Sequence, residues 1–251
     1  MNEAVTACVL IIGNEILSGR TADVNLNHLA QTLGGWGIQV KHARIIPDDE
    51  DVIIDTLNEV RTDYDYVFTT GGIGPTHDDI TAECVAKAFG VDLYQHEEIA
   101  ERIRARPAPD DVMANRLLMA RVPRGGFLID NPTGGPQGFG ISNVYVMAGI
   151  PMVMQAMLSS LEGKLKSGPV VRSHSIRAYL GESQIASPLG KIQNAYPQVD
   201  IGSYPFYRDD RYGTTLVIRG TDTSTVTEVA AAVMQAVSDA GETPEDLGAE
   251  G

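Results

Sequence analysis

Cysteine is scarce in this chain: Cys8 and Cys84 are the only two among 251 residues. Two thiols cannot build a disulfide framework, and each lies in an apolar stretch, so both read as small core residues. Basic residues are also few. Nineteen Lys and Arg against 33 Asp and Glu give a net charge of −14. That balance excludes a broad electrostatic grip on nucleic acid or on an anionic membrane. No apolar run reaches the ~18 residues that span a bilayer. The stretch 7–12 is too short for a secretory leader, and Glu3 stands where a leader is basic. A cytoplasmic protein without nucleic-acid or membrane partners is expected. Common nucleotide motifs are missing as well. No G-x-x-x-x-G-K-[ST] occurs, and residues 72–77 fail G-x-G-x-x-G because the last position is His77. No serine or cysteine nucleophile motif and no zinc-ligand spacing is found.

What is present is an alternation of strand and helix patterns. Hydrophobic residues make up 43% of the chain, enough for substantial cores. Residues 6–12, 39–46 and 66–70 are short, apolar and β-branched, and read as buried strands. Between them, Leu26, Leu29, Ala30 and Leu33, then Ile53, Leu57 and Val60, recur at helical spacing. A further helix is expected from about Asp78 to Phe89, with others over 97–106 and 113–120, broken by Pro107-Ala108-Pro109. Strands follow at 127–130 and 144–148, then a helix marked by Met154, Met157, Leu158 and Leu161. Such alternation predicts an α/β fold: a three-layer, mostly parallel sheet with helices on both faces. Residues 163–169 read as a linker. Beyond it the pattern is β-α-β-β-α, with a hairpin loop at 207–213, the size of a small α+β domain. The expected organisation is an α/β domain over 1–166, a small domain over 167–240, and an acidic, disordered tail over 241–251.

Chemistry concentrates after the third strand, in Thr69-Thr70-Gly71-Gly72-Ile73-Gly74-Pro75-Thr76-His77-Asp78-Asp79-Ile80-Thr81. A strand, a glycine turn and a helix start expose backbone N–H groups that hold anions, phosphate above all. The plain structural alternative is a tight crossover, with Thr76 capping the helix and Asp79 completing a capping-box pair. Two adjacent carboxylates would repel a phosphate unless a cation bridges them or they point elsewhere. Acidic groups also follow the other leading strands: Glu15 in Gly13-Asn14-Glu15-Ile16-Leu17-Ser18-Gly19, with Asp23 and Asn25 beyond, and Asp48-Asp49 behind Pro47. Loops at the carboxyl ends of parallel strands are where such sheets bind ligands. The flexible segment 130–140, with Gly134 and Gly135, either wraps a ligand or joins two strands.

These residues resemble the molybdopterin-binding (MoCF biosynthesis) family. The string Gly74-Pro75-Thr76-His77-Asp78-Asp79-Ile80-Thr81 is similar to its branch formed by the N-terminal domain of CinA (competence/damage-inducible) proteins. The resemblance covers about residues 5–165, and the domain after it is similar in pattern to the one that follows in CinA proteins. The C-terminal amidohydrolase domain of full-length CinA has no counterpart in this sequence, so nicotinamide-nucleotide deamidation is not implied. The resemblance implies a phosphorylated pterin or nucleotide, molybdopterin included, held by Gly71, Gly72, Ile73, Gly74, Pro75 and Thr76, with Asn14, Gly134 and Gly135 beside them. It assigns a catalytic role to Asp48 and Asp79. Mg²⁺ or another divalent cation would sit at Asp79, Asp78 and Glu15. Three departures stand out. Gly134-Gly135-Pro136-Gln137-Gly138 replaces the family's Gly-Thr-Ala-Pro-Gly, Ala148 replaces a proline, and Asn14 stands where many members carry Thr. A homo-oligomer is expected, because relatives of this fold commonly associate. Three functions follow: a binding protein for a phosphorylated ligand, a metal-dependent pyrophosphatase of ADP-ribose- or FAD-like dinucleotides, or a non-catalytic oligomeric interaction module.

Overall fold

The structure, a computed structural model, describes residues 4–250. It divides into two compact units at Gly168 and Pro169. The first unit runs β1 (Val5–Ile12), α1 (Asn14–Leu17), α2 (Asn25–Gly35), β2 (Ile38–Ile46), α3 (Glu50–Asp63), β3 (Tyr66–Thr70), α4 (Thr81–Phe89), β4 (Leu93–Gln95), α5 (Glu97–Arg104), α6 (Asp110–Leu117), β5 (Arg121–Pro123), β6 (Phe127–Ile129), β7 (Gly138–Ile141), β8 (Val144–Met147) and α7 (Pro151–Ser159).

Its main sheet has the order β2-β1-β3-β8-β7-β6. The β1–β2, β1–β3 and β3–β8 pairings are parallel, while β7 runs antiparallel to both neighbours. β1 shows why the fold is layered. Its side chains alternate between faces, and neither face is wet. Cys8, Leu10 and Ile12 join a core with Ile53 and Leu57 of α3, Val85 of α4 and Ile99 of α5. Ala7, Val9 and Ile11 join the opposite core with Leu29 and Leu33 of α2 and Met154, Met157 and Leu158 of α7. The α/β architecture with helices on both faces is therefore as the alternation requires.

Local departures have physical causes. The helix expected from about Asp78 begins at Thr81 instead. Half of the capping-box pair forms: Asp79 Oδ2 accepts from the Thr76 amide at 2.8 Å, but the Thr76 hydroxyl also donates to Asp79, and the Asp79 amide goes to Thr76 O at 3.2 Å instead of to that hydroxyl. That hook keeps residues 76–79 as a loop. Residues 138–141 form strand β7, although glycines disfavour strands. Glycine is needed there because a Cβ on Gly140 would stand 2.3 Å from Cζ of Phe127 on the neighbouring strand.

The second unit runs β9 (Arg172–Ala178), α8 (Glu182–Ala195), β10 (Asp200–Arg208), β11 (Arg211–Gly220), α9 (Thr223–Asp239) and β12 (Glu245–Glu250). These strands form an antiparallel sheet in the order β10-β11-β9-β12. The hairpin loop is shorter than expected: Asp209 and Asp210, with φ of 52° and 58°, make the whole turn between β10 and β11. Two positive φ values suit the right-handed twist of the strands.

The acidic tail is corrected as well. Residues 245–250 pair with β9 rather than remaining disordered. Its acids have cations to meet: Glu245 lies 3.1 Å from Arg177, and Asp246 lies 2.7 Å from His174. Residue 251 lies outside the described residues.

Candidate functional site at the carboxyl edge of the sheet

Strand register defines the site. Ile12 is level with Ile46, Ile11 with Thr70, and Thr70 with Met147. The chain therefore leaves the sheet at Gly13, Pro47, Gly71 and Ala148 along one edge. β6 and β7 add a fifth loop there, because Ile129 is level with Gly138 and Phe139 with Val146.

Hydrogen bonds tie these loops together. The Gly13 amide donates to Ile46 O at 3.1 Å, and the Gly71 amide to Met147 O at 3.2 Å. The Asn14 amide donates to Asp48 Oδ2 at 2.9 Å. The buried Asn25 donates Nδ2 to Gly149 O at 2.8 Å, while its Oδ1 is buried without a partner. Asp49 is a helix cap, accepting from the Val52 amide at 3.1 Å.

The glycine turn is fixed by close approach. Gly71 and Gly72 have φ of 103° and 66°. A Cβ on Gly71 would lie 2.1 Å from Ile12 O, and one on Gly72 would lie 2.1 Å from Thr81 Oγ1. Thr81 Oγ1 in turn donates to Gly71 O at 3.1 Å, and the Thr81 amide to Gly72 O at 3.0 Å. The amides of Gly72, Ile73 and Gly74 meet no acceptor among the described residues. Pro75, Thr76 and Asp78 are exposed, and Asp79 is half-buried. Thr76 stands between the two acids: its hydroxyl holds the Asp78 carboxyl below the usual carboxylate range.

The expected metal set is not gathered. Glu15 folds back on its own loop, since a Cβ on Gly13 would stand 2.5 Å from its carboxylate oxygens. Asp79 is engaged by Thr76. Among the described residues no three His, Cys, Asp or Glu side chains converge as metal ligands would.

Two hollows open along this edge. A small one, of about 10 Å³ and lined by Ile73, Gly74, Asp79, Met119 and Gln137, has room for roughly one water. A larger cleft, of about 470 Å³, shares Met119 and continues along Pro136, Gly135 and Gly134 to Arg102, Arg106 and Arg116. Asn131 shapes that loop: Nδ2 donates to Pro136 O at 2.9 Å, and Oδ1 accepts from the Thr133 amide at 3.1 Å. Gly134 and Gly135 thus line a hollow at the predicted edge. The three arginines were missed by reading motifs. Their signal was local composition: five of the chain's 19 basic residues are arginines between positions 102 and 121.

The chain matches known families over both units. Residues 8–166 match the family described as "Probable molybdopterin binding domain" (MoCF_biosynth). Residues 170–246 match "FAD synthase, middle domain". A protein of Archaeoglobus fulgidus is 31% identical over 197 residues, covering 78% of this chain and 84% of that one. A CinA-like protein of Citrifermentans bemidjiense is 38% identical over 172 residues, covering 64% of this chain and 41% of that one. The chain thus spans less than half the length of that CinA-like relative. The crystal structure of the protein CinA from Thermoplasma acidophilum matches with a TM-score of 0.58 at 34% identity, covering 64% of this chain and 98% of that one. With most of its first unit inside the matched region and a CinA structure sharing its fold, the chain belongs to the MoCF_biosynth family, in the branch of CinA-like proteins.

Proposed function

We propose that the carboxyl edge of the first unit binds a phosphorylated pterin or nucleotide, with a phosphate on the amides of Gly72, Ile73 and Gly74. The observation that carries this reading is that those three amides have no acceptor within the protein, on a turn whose geometry only glycine can hold. Oriented backbone amides bind anions without a charged side chain. The family description, with its molybdopterin-binding domain, supports the pterin.

The carboxylates act here as struts. Asp48 holds the loop after β1 through the Asn14 amide, and Asp79 holds the phosphate loop through Thr76. On this reading the charge conflict is eased at one member of the adjacent pair: Asp79 is turned onto the Thr76 amide, while Asp78 stays exposed. The carboxylates are given no metal in this reading, because among the described residues no three His, Cys, Asp or Glu side chains converge.

Isothermal titration with ADP-ribose, FAD, NAD and molybdopterin, each with and without Mg²⁺, tests the reading. Binding of at least one of them, weakened by Gly72→Ala, is expected. Absence of binding by all of them, or equal affinity in the variant, overturns it. Affinity that appears only with Mg²⁺ overturns the role given to the carboxylates.

A further inference from the structure

The larger cleft carries a second charge pattern that the glycine turn does not use. Its arginines are held in place by backbone. Arg106 Nη2 donates to Gly134 O at 3.0 Å, and Arg116 Nη1 donates to Arg106 O at 3.3 Å. Neither has a carboxylate partner among the described residues. Arg102 differs, lying 3.2 Å from Asp130 and 3.6 Å from Glu98. Each guanidinium has five N–H donors in a planar fork, so one bond to a carbonyl leaves most of them aimed elsewhere. Two unneutralised arginines beside one another repel. In a chain of net charge −14, acidic neighbours are abundant, yet none is placed against this pair.

Shape agrees with charge. A hollow of about 470 Å³ is of the size that takes small organic ligands. Ile103, Pro107 and Met119 add apolar lining to that of the arginines. Through Met119 and the Pro136–Gln137 bond it adjoins the small hollow at Gly74 and Asp79. Gln137, which is 4% exposed, lies at that junction with its Oε1 buried and unpartnered, its Nε2 being given to Glu98 at 2.6 Å.

We infer that Arg106 and Arg116, with Arg102 beside them, form a second anion subsite that takes a phosphoryl group of the ligand whose first phosphate lies on the Gly72–Gly74 amides. This deepens the proposed function and rests on it for the ligand's orientation. The subsite selects a ligand with more than one phosphoryl group over a monophosphate. Arginine suits this task because its fork bonds two phosphate oxygens at once, which a lysine cannot do.

Titration calorimetry at low salt with inorganic pyrophosphate, ADP and AMP tests it. The inference expects ADP to bind more tightly than AMP. Arg106→Gln and Arg116→Gln should each weaken pyrophosphate and ADP by about tenfold, the worth of a charge-assisted bond. Arg116→Lys, which keeps the charge and loses the fork, should fall between. Tighter binding of ADP than of pyrophosphate identifies a nucleotide as the source of the phosphates. Unchanged affinity in both Gln variants, with circular dichroism as in the parent, overturns the inference, as does equal affinity for ADP and AMP. The two readings fail separately. Gly72→Ala that abolishes binding while the arginine variants bind normally removes the cleft and leaves the turn. Pyrophosphate binding lost in the arginine variants and untouched by Gly72→Ala keeps the cleft and removes the turn.

Discussion

Gly72 and Thr81 form a testable mechanical pair. Gly72 has φ of 66°, and a Cβ there would lie 2.1 Å from Thr81 Oγ1, an atom already bonded to Gly71 O. Gly72→Ala therefore incurs two costs. The left-handed backbone costs about 1 kcal/mol for a residue with a Cβ. Forcing a methyl into an occupied place costs roughly 1–3 kcal/mol more. Thr81→Ala removes the obstructing hydroxyl and leaves the Gly71 carbonyl without its bond, for about 1–2 kcal/mol. In the double variant the overlap is gone, and only the backbone term and the lost bond remain, about 2–3 kcal/mol together. The double variant should thus fall short of the summed singles by roughly 1–3 kcal/mol, the overlap term itself. Equilibrium urea unfolding of the four proteins measures this, with an unchanged m-value as the check that only stability moved. Additivity within about 0.5 kcal/mol refutes the claim that the turn is locked against the first residue of α4.

Other outcomes follow from other parts of the molecule. Burial pushes the Cys8 thiol up to about 11 and the Cys84 thiol up to about 12, so neither forms thiolate at neutral pH; iodoacetamide should label both in urea and neither in the folded protein, and rapid labelling of the native chain contradicts the packing of β1 and α4. Removing residues 245–250 should raise amide hydrogen exchange along β9, their pairing partner, and unchanged exchange there argues against the β12 pairing. Asp246 is held below the usual carboxylate range by the Gly248 amide first and His174 second. A lowered folded value stabilises above the unfolded carboxylate pKa of about 3.9, and that contribution is lost as pH falls through the folded value. Asp246→Asn should therefore flatten the acid side of the second unit's stability curve, measured by urea midpoints between about pH 6 and about pH 3; an identical acid limb in both proteins removes the role given to Asp246.

The layered fold was legible because burial writes itself into spacing. β1 is apolar from Ala7 to Ile12 since both of its faces are covered, and α2, α3 and α7 carry stripes at helical intervals. The edge carrying the candidate site was legible for the same reason: in parallel strands, the loops after consecutive strands share an edge. What local pattern could not show was set by distant partners. β7 is glycine-rich because Phe127 crosses over Gly140, a fact about another strand. The last strand looked disordered because its acids were read without Arg177 and His174, some 70 residues away. The Asp209-Asp210 turn lacked the Asn-Gly signature of its type. At the glycine turn, the residue types pointed to a capping box, and only its acid half is there: Asp79 accepts from the Thr76 amide, while the Thr76 hydroxyl donates to Asp79 instead of accepting from its amide.

That half-formed cap bears on how so acidic a chain could hold an anion. A carboxylate that accepts backbone bonds is a fixed acceptor, and its charge is partly met by the N–H dipoles it faces. Asp48 and Asp79 each accept a backbone amide, from Asn14 and Thr76 respectively. They therefore repel an incoming phosphate less than free carboxylates would, and they hold rigid the loops whose remaining amides stay open. Net charge says little at this range, because exposed charges farther than about 8 Å are largely screened at physiological salt. What an anion meets here is the local set: open amides at Gly72–Gly74, two arginines without carboxylate partners, and acids already bonded to backbone. On that ground the edge suits a phosphorylated ligand despite an overall charge of −14, and replacing either acid by alanine should loosen its loop more than it should ease the repulsion.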